Sequence, residues 1–595
     1  MIKSKQLIYN YKKEIAMFKY IKKIEERLTE NDKRILSDIY APEIVATPDR
    51  DPWGRLTVMP DGRIRFYGEY KKKSVFDHNC DECYIESCDG GLSWKRYVIE
   101  NKNVLGASSF MPFNGKYVKV VFEWNDDKQG TYALVGESPD DENPIKYKVS
   151  DTAYFEPRLP FVMRSRNRIL CVVTERRPQS HHTCFYNVVV YSDDGGKTWN
   201  ESPLGEAPYH EKKWPHKGYR WQQNNRECTI EELSDGSLLI HSRTATDYHY
   251  MSRSFDGGET WTEFEPTVFH STGTMPVLKK LSDGRLMFFW CNTKLLPELA
   301  TADGDWEDYF TNRDANHCAI SSDDGSTWQG YREMGLNLIR HATDFRSHSG
   351  PVEGDKSVHQ FEALELPMNK MLVAYGQHYA SRKMIIFDID WLYEKQRHEN
   401  FLYGLANISA QSYVKSYPGG HGNTPENPAA YSGHCAYNRI CGCLLVPSPL
   451  NDRHEVLQIA SNPDPRLVSP ICGAVWNFPI AKKGTVKISA NIFGKGLRVS
   501  LLDYWMNPCD DTVEYYADYS IVLRPDMHPD GEIFSDFILD FDCEENTVTV
   551  KCGDYLCLTK KLSGEHPNGI CYLHMQSVDG DFDGAYISTI DFKAE

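Results

Sequence analysis

The sequence lacks three features that would place the protein in a membrane, on nucleic acid or on a secretion route. None of its apolar runs approaches the length of about 18 residues that a membrane-spanning helix needs. The 67 Lys and Arg residues are outnumbered by 84 Asp and Glu, and the net charge of −17 would repel nucleic acid and anionic membranes. Residues 1–28 have lysines every few positions and no continuous apolar core, unlike a secretion signal. We therefore expect a cytoplasmic protein with neither nucleic acid nor membrane as a partner.

The 17 cysteines lack the spacing of a disulfide framework. Their number is odd and several lie in apolar, strand-like contexts, which is typical of reduced thiols. Cys80 and Cys83 have metal-ligand spacing, and a second group of His and Cys lies at 434–443. A structural zinc site needs four converging ligands, and neither group has a matching pair. We expect no metal and no other cofactor.

Apolar residues recur at helical spacing from Ile8 to Leu28, which predicts an amphipathic helix over about residues 5–37. Three roles stay open for this helix. It could pack on the rest of the chain, which we favour, or join two copies in a homo-oligomer. Its lysine-rich face could also lie on a membrane surface.

Four segments repeat the pattern Ser-x-Asp-x-Gly-x-x-Trp after an alternating apolar run. In such a turn Ser and Asp side chains bind backbone amides, Gly takes a positive φ angle, and Trp folds under the hairpin tip. The copies are Ser87–Trp94, Ser192–Trp199, Ser254–Trp261 and Ser321–Trp328. A degenerate fifth copy lies at 138–145, where Glu142 replaces the Gly and Ile145 the Trp. The repeat predicts a series of outer β-hairpins.

A second series of tight turns, which we call the inner hairpins, alternates with these copies. They lie at Pro60–Gly62, Phe113–Gly115, Ser165–Asn167, Ser234–Gly236, Ser282–Gly284 and Met368–Lys370. Six inner hairpins, five of them followed by an outer one, predict four strands per repeat and a six-bladed β-propeller. The Ser-x-Asp pattern is the Asp-box, and the chain resembles the sialidase superfamily of Asp-box propellers.

The Asp-box rhythm stops after Tyr393. Residues 400–445 are rich in Gly, Pro, Asn and Ser, and short alternating β runs return from about Gly473. We expect an all-β protein in three parts: the helix at 1–39, the propeller at 40–398, and a linker plus a jelly-roll-like β-sandwich at 399–595. The sandwich could buttress the propeller and shape one wall of its site, which we favour, or bind carbohydrate.

Acids and arginines recur at the start of the first strand in four of the six repeats. In a propeller these strands line the central channel, and their starting ends face the ligand cavity. The starting segments are Arg50–Arg55, Gly106–Ser109, Phe155–Arg158, Asn225–Thr229, Thr272–Met275 and His359–Glu362. A solvated surface would not be expected to show this registry, so we predict a functional site there.

A pair of carboxylates is what glycoside hydrolysis ordinarily needs, one protonated to donate a proton and one ionised to attack or to activate water. The candidates are Glu227, Glu362, Glu156 and Asp51, and we expect Glu227 and Glu362 to carry the reaction. Glu156 with Arg158 would position sugar hydroxyls or a carboxylate. The remaining expected substrate-binding residues are Arg55, Arg226, Arg243, Gln360, His359, Gln377, Trp53 and Asn292, with Arg50, Trp221 and His378 as further rim positions.

Residues 226–243 match sialidases best, since the corresponding strand pair of that family starts with a Glu and ends with an Arg. The resemblance implies that Glu227 acts on the nucleophile and that Arg243 grips a substrate carboxylate through its two-pronged guanidinium. The chain departs from the family twice. The fifth repeat has no arginine in its first strand at 273–277, and Gln360 or Phe361 stands in the place of the tyrosine nucleophile.

Two explanations of the missing tyrosine stay open. Tyr375 or Tyr379 from the next strand could occupy the position, or the chemistry differs from that of a sialidase, which we favour. The sequence thus predicts an exo-acting glycoside hydrolase that removes a terminal sugar, acidic or neutral, from oligosaccharides. The alternatives are a non-catalytic sugar-binding propeller, a true exo-sialidase, and a polysaccharide lyase with His359 and either Tyr379 or His378.

Overall fold

The computed structural model describes most of the chain from residue 41 onward. The described ranges are 41–71, 81–100, 104–106, 110–125, 128–178, 183–208, 225–294, 313–335, 358–377, 382–414, 438–451, 453–467, 469–527, 533–553 and 555–595. The N-terminal helix expected at 5–37 lies outside them, as do Trp221, His378 and Tyr379. Within these ranges the secondary structure is nearly all strand, which confirms the all-β class.

Strand β1 (Glu43–Ala46) is followed by five consecutive four-stranded antiparallel sheets and three strands of a sixth. Sheet one comprises β2 (Leu56–Val58), β3 (Ile64–Lys71), β4 (Asp81–Ser87) and β5 (Lys95–Val98). Sheet two comprises β6 (Phe110–Phe113), β7 (Lys116–Asn125), β8 (Lys128–Gly136) and β9 (Ile145–Ser150). Sheet three comprises β10 (Phe161–Met163), β11 (Arg168–Pro178), β12 (Thr183–Ser192) and β13 (Asn200–Pro203).

Sheet four comprises β14 (Arg226–Glu232), β15 (Leu238–Arg243), β16 (Tyr248–Ser254) and β17 (Glu265–His270). Sheet five comprises β18 (Val277–Lys280), β19 (Leu286–Trp290), β20 (His317–Ser321) and β21 (Gln329–Glu333). Sheet six comprises β22 (Phe361–Leu366), β23 (Lys370–Tyr375) and β24 (Lys383–Asp388), and its fourth strand is β1. The beginning of the described chain is therefore paired with a strand more than 330 residues later, with Glu43 opposite Ile386.

The inner hairpins and the Asp-box turns lie at the same edge of the sheets. Neighbouring strands run antiparallel, so the turn after the first strand and the turn after the third strand fall on one side. We call this side the box edge and the opposite side, where the first strands begin, the start edge. The sequence predicted both series of turns at the positions where the structure has them.

Each Asp-box turn, or the turn that replaces it, contacts the sheet that precedes it. Arg168 of sheet three donates through Nη1 to the carbonyl of Gly257 in the box of sheet four, at 2.9 Å. The amide of Ser234 in sheet four donates to Oδ1 of Asp324 in the box of sheet five, at 3.3 Å. The box of sheet three places Gly195 beside the Phe113 ring of sheet two.

Sheets one, two and six continue this series of contacts. Asp140 of the degenerate box accepts from Nη1 of Arg65 in sheet one at 2.6 Å. Gly91 in the box of sheet one lies against Leu372 of sheet six. Sheet six has a 3-10 helix, Ile389–Tyr393, at the box position, and the Tyr393 hydroxyl accepts from Nη1 of Arg285 in sheet five at 3.1 Å. The contacts thus link the six sheets in a closed series.

The chain beyond Tyr393 forms two larger sheets and a strand pair. Its strands are β25 (Gln396–Glu399), β26 (Ile408–Ser409), β27 (Gln411–Val414), β28 (Asn438–Cys441), β29 (Leu444–Pro447), β30 (Glu455–Ile459), β31 (Gly473–Ala481), β32 (Lys483–Ile492), β33 (Leu497–Leu502), β34 (Tyr519–Leu523), β35 (Ser535–Asp542), β36 (Thr547–Cys552), β37 (Tyr555–Lys561), β38 (Ile570–Ser577) and β39 (Ala585–Ala594). A single helical turn, α1 (Val513–Tyr516), and the 3-10 helix Pro525–Met527 complete it.

The two larger sheets enclose one apolar core. One has the order β29-β30-β39-β32-β35-β36-β37 with β25 on β39, and the other has the order β26-β31-β38-β33-β34. Strand β35 alternates buried and half-buried residues along its length, as expected of a sheet with one face on a core. Its Phe537 shares a buried cluster with Trp476 and Leu573 of the other sheet. Asn292 of sheet five joins this part of the chain by donating through its amide to the carbonyl of Asp503, at 2.8 Å.

No helix in the described ranges is long and apolar enough to cross a membrane.

Candidate functional site

A cavity of about 640 Å³ lies between the first strands of sheets three to six. Arg158 and Glu362 line it at the start edge, and Arg164, Glu232 and Glu365 line it at the box edge. The first strands of these four sheets therefore border a common space, and two charged residues from their starting segments, Arg158 and Glu362, lie on it.

Glu227 and Arg243 form a buried ion pair at the start edge of sheet four. Arg243 Nη1 donates to Glu227 Oε2 at 2.6 Å, and the two side chains are 6% and 3% exposed. The strands β14 and β15 bring them together because Arg226 lies opposite Arg243 in the register, with a bulge before Thr229. Burial alone would raise the pKa of Glu227, but the positive charges of Arg243 and Arg226 lower it to about 2. Glu227 is thus ionised at neutral pH.

Glu156 and Arg226 form a second ion pair across neighbouring sheets. Arg226 Nε donates to Glu156 Oε2 at 2.9 Å, and its Nη2 contacts Oε1 of the same carboxylate. This two-pronged geometry fixes the plane of the guanidinium. The pair ties the start of sheet three to the residue that precedes Glu227, so Glu156 lies in the site through Arg226.

Glu362 differs from Glu227 in its surroundings. Its Oε1 accepts from the backbone N–H of Gly54 at 2.6 Å, which joins the start of sheet six to the segment before sheet one. Burial raises the pKa of the Glu362 carboxyl to about 7, and the positive charges of Arg158, Lys279 and Arg55 oppose that rise without cancelling it. A large part of Glu362 is therefore protonated at neutral pH, in contrast to Glu227.

The positive charge of Arg158 acts on both Glu227 and Glu362. Its charge lowers the pKa of both Glu227 and Glu362, so the guanidinium is within interaction range of each. It stacks over the Trp53 ring, with Cζ 4.6 Å from the ring centroid. The cation–π contact helps to hold the arginine in place on the cavity wall. Arg158 and Trp53, both predicted from sequence, are brought together with the acids.

The segment before sheet one contributes Asp51 and Arg55, and Arg55 Nε lies 3.5 Å from Asp51 Oδ1. The bulge at Gly68 makes room for Arg55, since a Cβ at this glycine would lie 2.4 Å from Arg55 Nη1. Gly68 also has φ of +86°, a backbone conformation that other residues avoid. The side chain of Arg50 passes beside the same glycine. Three predicted residues of the first repeat therefore lie together at its start.

Three predicted site residues share an unusual backbone conformation. Glu156, Glu227 and Gln360 have φ angles of 47°, 53° and 71°, in a region that favours glycine. All three lie just before or at the first strand of their sheets. Non-glycine residues persist in this region where surrounding contacts hold them, and such positions cluster at functional sites. The repetition in three sheets supports a site at the start edge.

The described residues that lead into the first strand of sheet six, 358–361, include no tyrosine. His359 is buried, and burial together with the charges of Arg313 and Arg243 lowers its pKa well below the usual range. Gln360 is 7% exposed, and its Oε1 has no hydrogen-bond partner among the described residues. Tyr375 pairs with Phe361 in the sheet and packs in the apolar cluster between sheets five and six. The structure therefore gives Tyr375 a core position, and Tyr379 lies outside the described ranges.

Arg313 is a site residue that the sequence reasoning missed. Its Nη2 donates to the carbonyl of Gly273 at 2.9 Å, and its charge lowers the pKa of both Arg243 and His359. We expected no arginine from the first strand of the fifth repeat, and that strand has none. Arg313 instead precedes the third strand of sheet five. In the sequence it is part of an Arg-Asp pair before an apolar strand, and this pattern does not indicate that the arginine lies near the site.

Two predicted residues lie elsewhere in contacts of their own. Asn292 donates its amide to the Asp503 carbonyl, between sheet five and the C-terminal sheets. The carbonyl of Gln377 accepts from Arg382 Nη2 at 2.5 Å. The structure does not place either side chain beside the Glu227 and Glu362 carboxylates, and their role in substrate binding stays a prediction.

No group of three or more His, Cys, Asp or Glu in the described part of the chain is arranged to hold a metal ion. Cys80, His434 and Cys435 fall outside that part, whereas Cys83, Cys441 and Cys443 lie within it.

Residues 158–334 match the family model of the BNR repeat-like domain. This segment covers sheets three to five and includes Glu227 and Arg243. The match confirms the resemblance to the sialidase and BNR-repeat superfamily that the Asp-boxes predicted. No curated protein matches the sequence.

Solved structures give distant matches. A protein of unknown function from Dyadobacter fermentans is 16% identical with a TM-score of 0.37, over 58% of this chain and 98% of its own. The Trypanosoma rangeli sialidase, bound covalently to 2,3-difluorosialic acid, is 11% identical with a TM-score of 0.32, over 93% and 96%. A Hadza microbial sialidase is 13% identical with a TM-score of 0.36, over 58% and 66%. None of these alignments assigns a role to a residue of this chain.

Proposed function

We propose that the protein is an exo-acting glycoside hydrolase of the sialidase fold. The closed series of six sheets forms one six-bladed β-propeller, and the two larger C-terminal sheets form a β-sandwich beside it. Its substrate is an oligosaccharide with a terminal sugar that enters the cavity from the start edge. The six sheets, the box contacts and the pairing of β1 with β24 support the propeller assignment.

The observation that carries this proposal is the opposite ionisation of two carboxylates at the start edge, one of which, Glu362, lines the cavity. The pKa of Glu227 is lowered to about 2 and that of Glu362 is raised to about 7, while Arg158 interacts with both. Titratable pairs whose environments separate their pKa values are characteristic of acid–base sites. Glu362 acts as the general acid and protonates the leaving oxygen. The ionised Glu227 either attacks the anomeric carbon or removes a proton from the attacking water, directly or through a neighbouring group.

The arginines of the site favour an acidic terminal sugar. Arg158, Arg226, Arg243 and Arg313 all lie near the start edge of sheets three to five, where they offer several donors to a carboxylate. Two of them are already engaged, Arg243 with Glu227 and Arg226 with Glu156. Arg313 donates to the Gly273 carbonyl, and Arg158 lines the cavity, so an entering carboxylate would meet Arg158 most directly. This arrangement supports an acidic terminal sugar.

The test is a panel of aryl glycosides, including acidic sugars, with the full chain and two variants. We expect Glu227→Gln and Glu362→Gln each to lower turnover at least about 100-fold while the fold is kept, because each removes an ionisable group of the reaction. Glu365→Gln is the matched control, since Glu365 lies at the box edge and accepts from the Ser282 amide. If Glu227→Gln or Glu362→Gln keeps wild-type turnover, that glutamate has no part in the reaction. Efficient release of sialic acid from an aryl sialoside would instead indicate a tyrosine nucleophile.

One observation favours a second candidate, a non-catalytic sugar-binding propeller. Glu227 is 3% exposed and closed off by Arg243, so it offers little surface to a substrate. Binding of a sugar by the full chain, without hydrolysis of any member of the panel, would favour this candidate over the hydrolase.

A further inference from the structure

An exposed aromatic surface lies at the start edge, between sheets two and three. It consists of Phe122 and Trp124 at the end of β7 and Phe155 before β10, and we call it the aromatic platform. Trp124 and Phe122 are 62% and 38% exposed. Their ring centroids lie 5.4 and 5.1 Å from that of Phe155. The three rings therefore form one continuous surface that faces solvent.

The strand alternation explains why these residues share a face. Val118 and Val120 point the same way as Phe122 and Trp124, and both valines are buried in clusters that include residues of sheet three. A stripe of this kind normally ends in a polar residue where it leaves the core. Here it ends in Trp124, the most exposed tryptophan of the described ranges. A large ring exposed in this way adds little to the stability of the fold.

The platform is continuous with the candidate site. Phe155 directly precedes Glu156, whose carboxylate binds Arg226, the neighbour of Glu227. The backbone of Phe155 is fixed by two hydrogen bonds with Thr174, at 2.7 and 2.9 Å. The end of β7 and the start of the first strands lie at the same edge, because β7 is the second strand of its sheet. A ligand that leaves the cavity between sheets two and three would pass over these rings.

A polar side chain lies beside the rings. Gln129 is exposed and directly opposite Trp124 in the register of β7 and β8, so the two side chains share one face. The apolar C–H face of a pyranose fits an aromatic ring, and its hydroxyls fit the donor and acceptor of an amide. Because the ring and the amide are both neutral, the pair suits an uncharged sugar.

We propose that the aromatic platform binds the uncharged sugar that follows the cleaved terminal residue of the oligosaccharide. This inference rests on the proposed function, since it names the next subsite of the same cavity. The terminal sugar occupies the cavity mouth at Glu227 and Glu362, and the second sugar stacks on Trp124 with a hydroxyl at Gln129. The enzyme is thereby selective for oligosaccharides over simple glycosides.

The platform can be tested without knowledge of the terminal sugar. Saturation-transfer NMR of the full chain with lactose, cellobiose and maltose reports which disaccharide contacts the protein. We expect signals from at least one of them, reduced about three-fold or more in Trp124→Ala and in Gln129→Ala. Phe255→Ala is the matched control, because Phe255 is 70% exposed but lies in the box of sheet four at the opposite edge. Glu227→Gln should leave the signals in place.

Several results would overturn the proposal. They are the absence of signals with the wild-type chain, equal signals in Trp124→Ala, and a loss confined to Glu227→Gln. Concentration-dependent dimerisation that Trp124→Ala abolishes would assign the platform to a second copy of the chain instead. If no glycoside is cleaved although the Trp124-dependent signals remain, the proposed hydrolase activity is wrong and the sugar-binding platform is kept. If a substrate is found, Trp124→Ala should raise KM for its oligosaccharide form only, with kcat unchanged.

Discussion

Removal of the Asp194 carboxylate should destabilise the protein without affecting its site. Asp194 Oδ1 accepts from Ser192 Oγ at 2.9 Å and from the amides of Lys197 and Thr198 at 3.0 and 2.9 Å. Its Oδ2 accepts from Thr198 Oγ1 at 2.7 Å. Asp194→Ala therefore releases four donors. Three of them lie in an exposed turn and are rehydrated, whereas Ser192 is fully buried and its hydroxyl loses its acceptor.

The magnitude follows from these contacts. An orphaned buried hydroxyl costs about 1–3 kcal/mol, and rehydrated donors cost little more, so we expect a loss of about 1–3 kcal/mol of unfolding free energy. One kcal/mol lowers the melting temperature by about 2–4 °C in a unit of 150–250 residues, and less in a longer chain. The expected fall is on the order of 1–5 °C. Glu142→Ala in the degenerate box is the control, since this carboxylate is exposed.

The same variant has a pH signature. Partial burial would raise the pKa of Asp194, but the hydrogen bonds from Thr198, Ser192 and Lys197 lower it to about 2. A lowered carboxyl pKa stabilises the fold above the unfolded-state value of 3.8, and this stabilisation is lost as the pH falls towards 2. Melting curves of the wild type and Asp194→Ala should therefore converge in acid. A loss of turnover at an unchanged melting temperature would refute the reasoning, because it would connect the box to the chemistry.

Two further variants examine the cavity and its ion pair. Lys279→Met should move the alkaline fall of kcat/KM, expected near pH 7, to higher pH, because Lys279 lowers the pKa of the acid Glu362 and activity needs its protonated form. Lys280→Met is the control and should leave that fall in place, since the Lys280 Nζ donates to the Glu232 carbonyl at the box edge. An unshifted profile in Lys279→Met would contradict the role of Glu362. Arg243→Met should lower the free energy of unfolding in urea by about 3–5 kcal/mol, because it leaves Glu227 charged and buried. The double variant with Glu227→Gln should recover part of that loss. Losses in Arg243→Met and Glu227→Gln that simply add in the double variant would show that the pair is not coupled.

The turns were predictable from sequence because their residue types are dictated locally. Ser192, Asp194 and Gly196 form the hydrogen bonds of one hairpin tip, and no distant residue is needed to specify them. The same local logic gave the inner hairpins, and with them the all-β class and the strand order within each sheet. Glu227 and Glu362 could be located because the repeat places them at equivalent positions.

Other features depended on contacts that no local pattern records. Arg313 reaches the site from the segment before the third strand of its sheet, so no pattern in the first strands indicated it. Asn292 falls near the rim in the repeat, but the C-terminal sheets engage its amide. The opposite pKa shifts of Glu227 and Glu362 arise because Arg243 and Arg226 of its own sheet outweigh burial at Glu227, whereas burial outweighs the nearby positive charges at Glu362. The sequence supplies the residues of such a network, and the fold decides their charges.

Because β1 pairs with β24, sheet six can be completed only long after β1 has been synthesised. Strand β1 leaves the ribosome roughly 340 residues before its partner β24. At translation rates of about 5–20 residues per second, the interval is on the order of 20–70 s. During that time β1 has no partner strand, so its N–H and C=O groups are unpaired and can pair with the strands of other chains. The nascent protein therefore passes through a stage in which a chaperone that covers a bare strand would raise its yield.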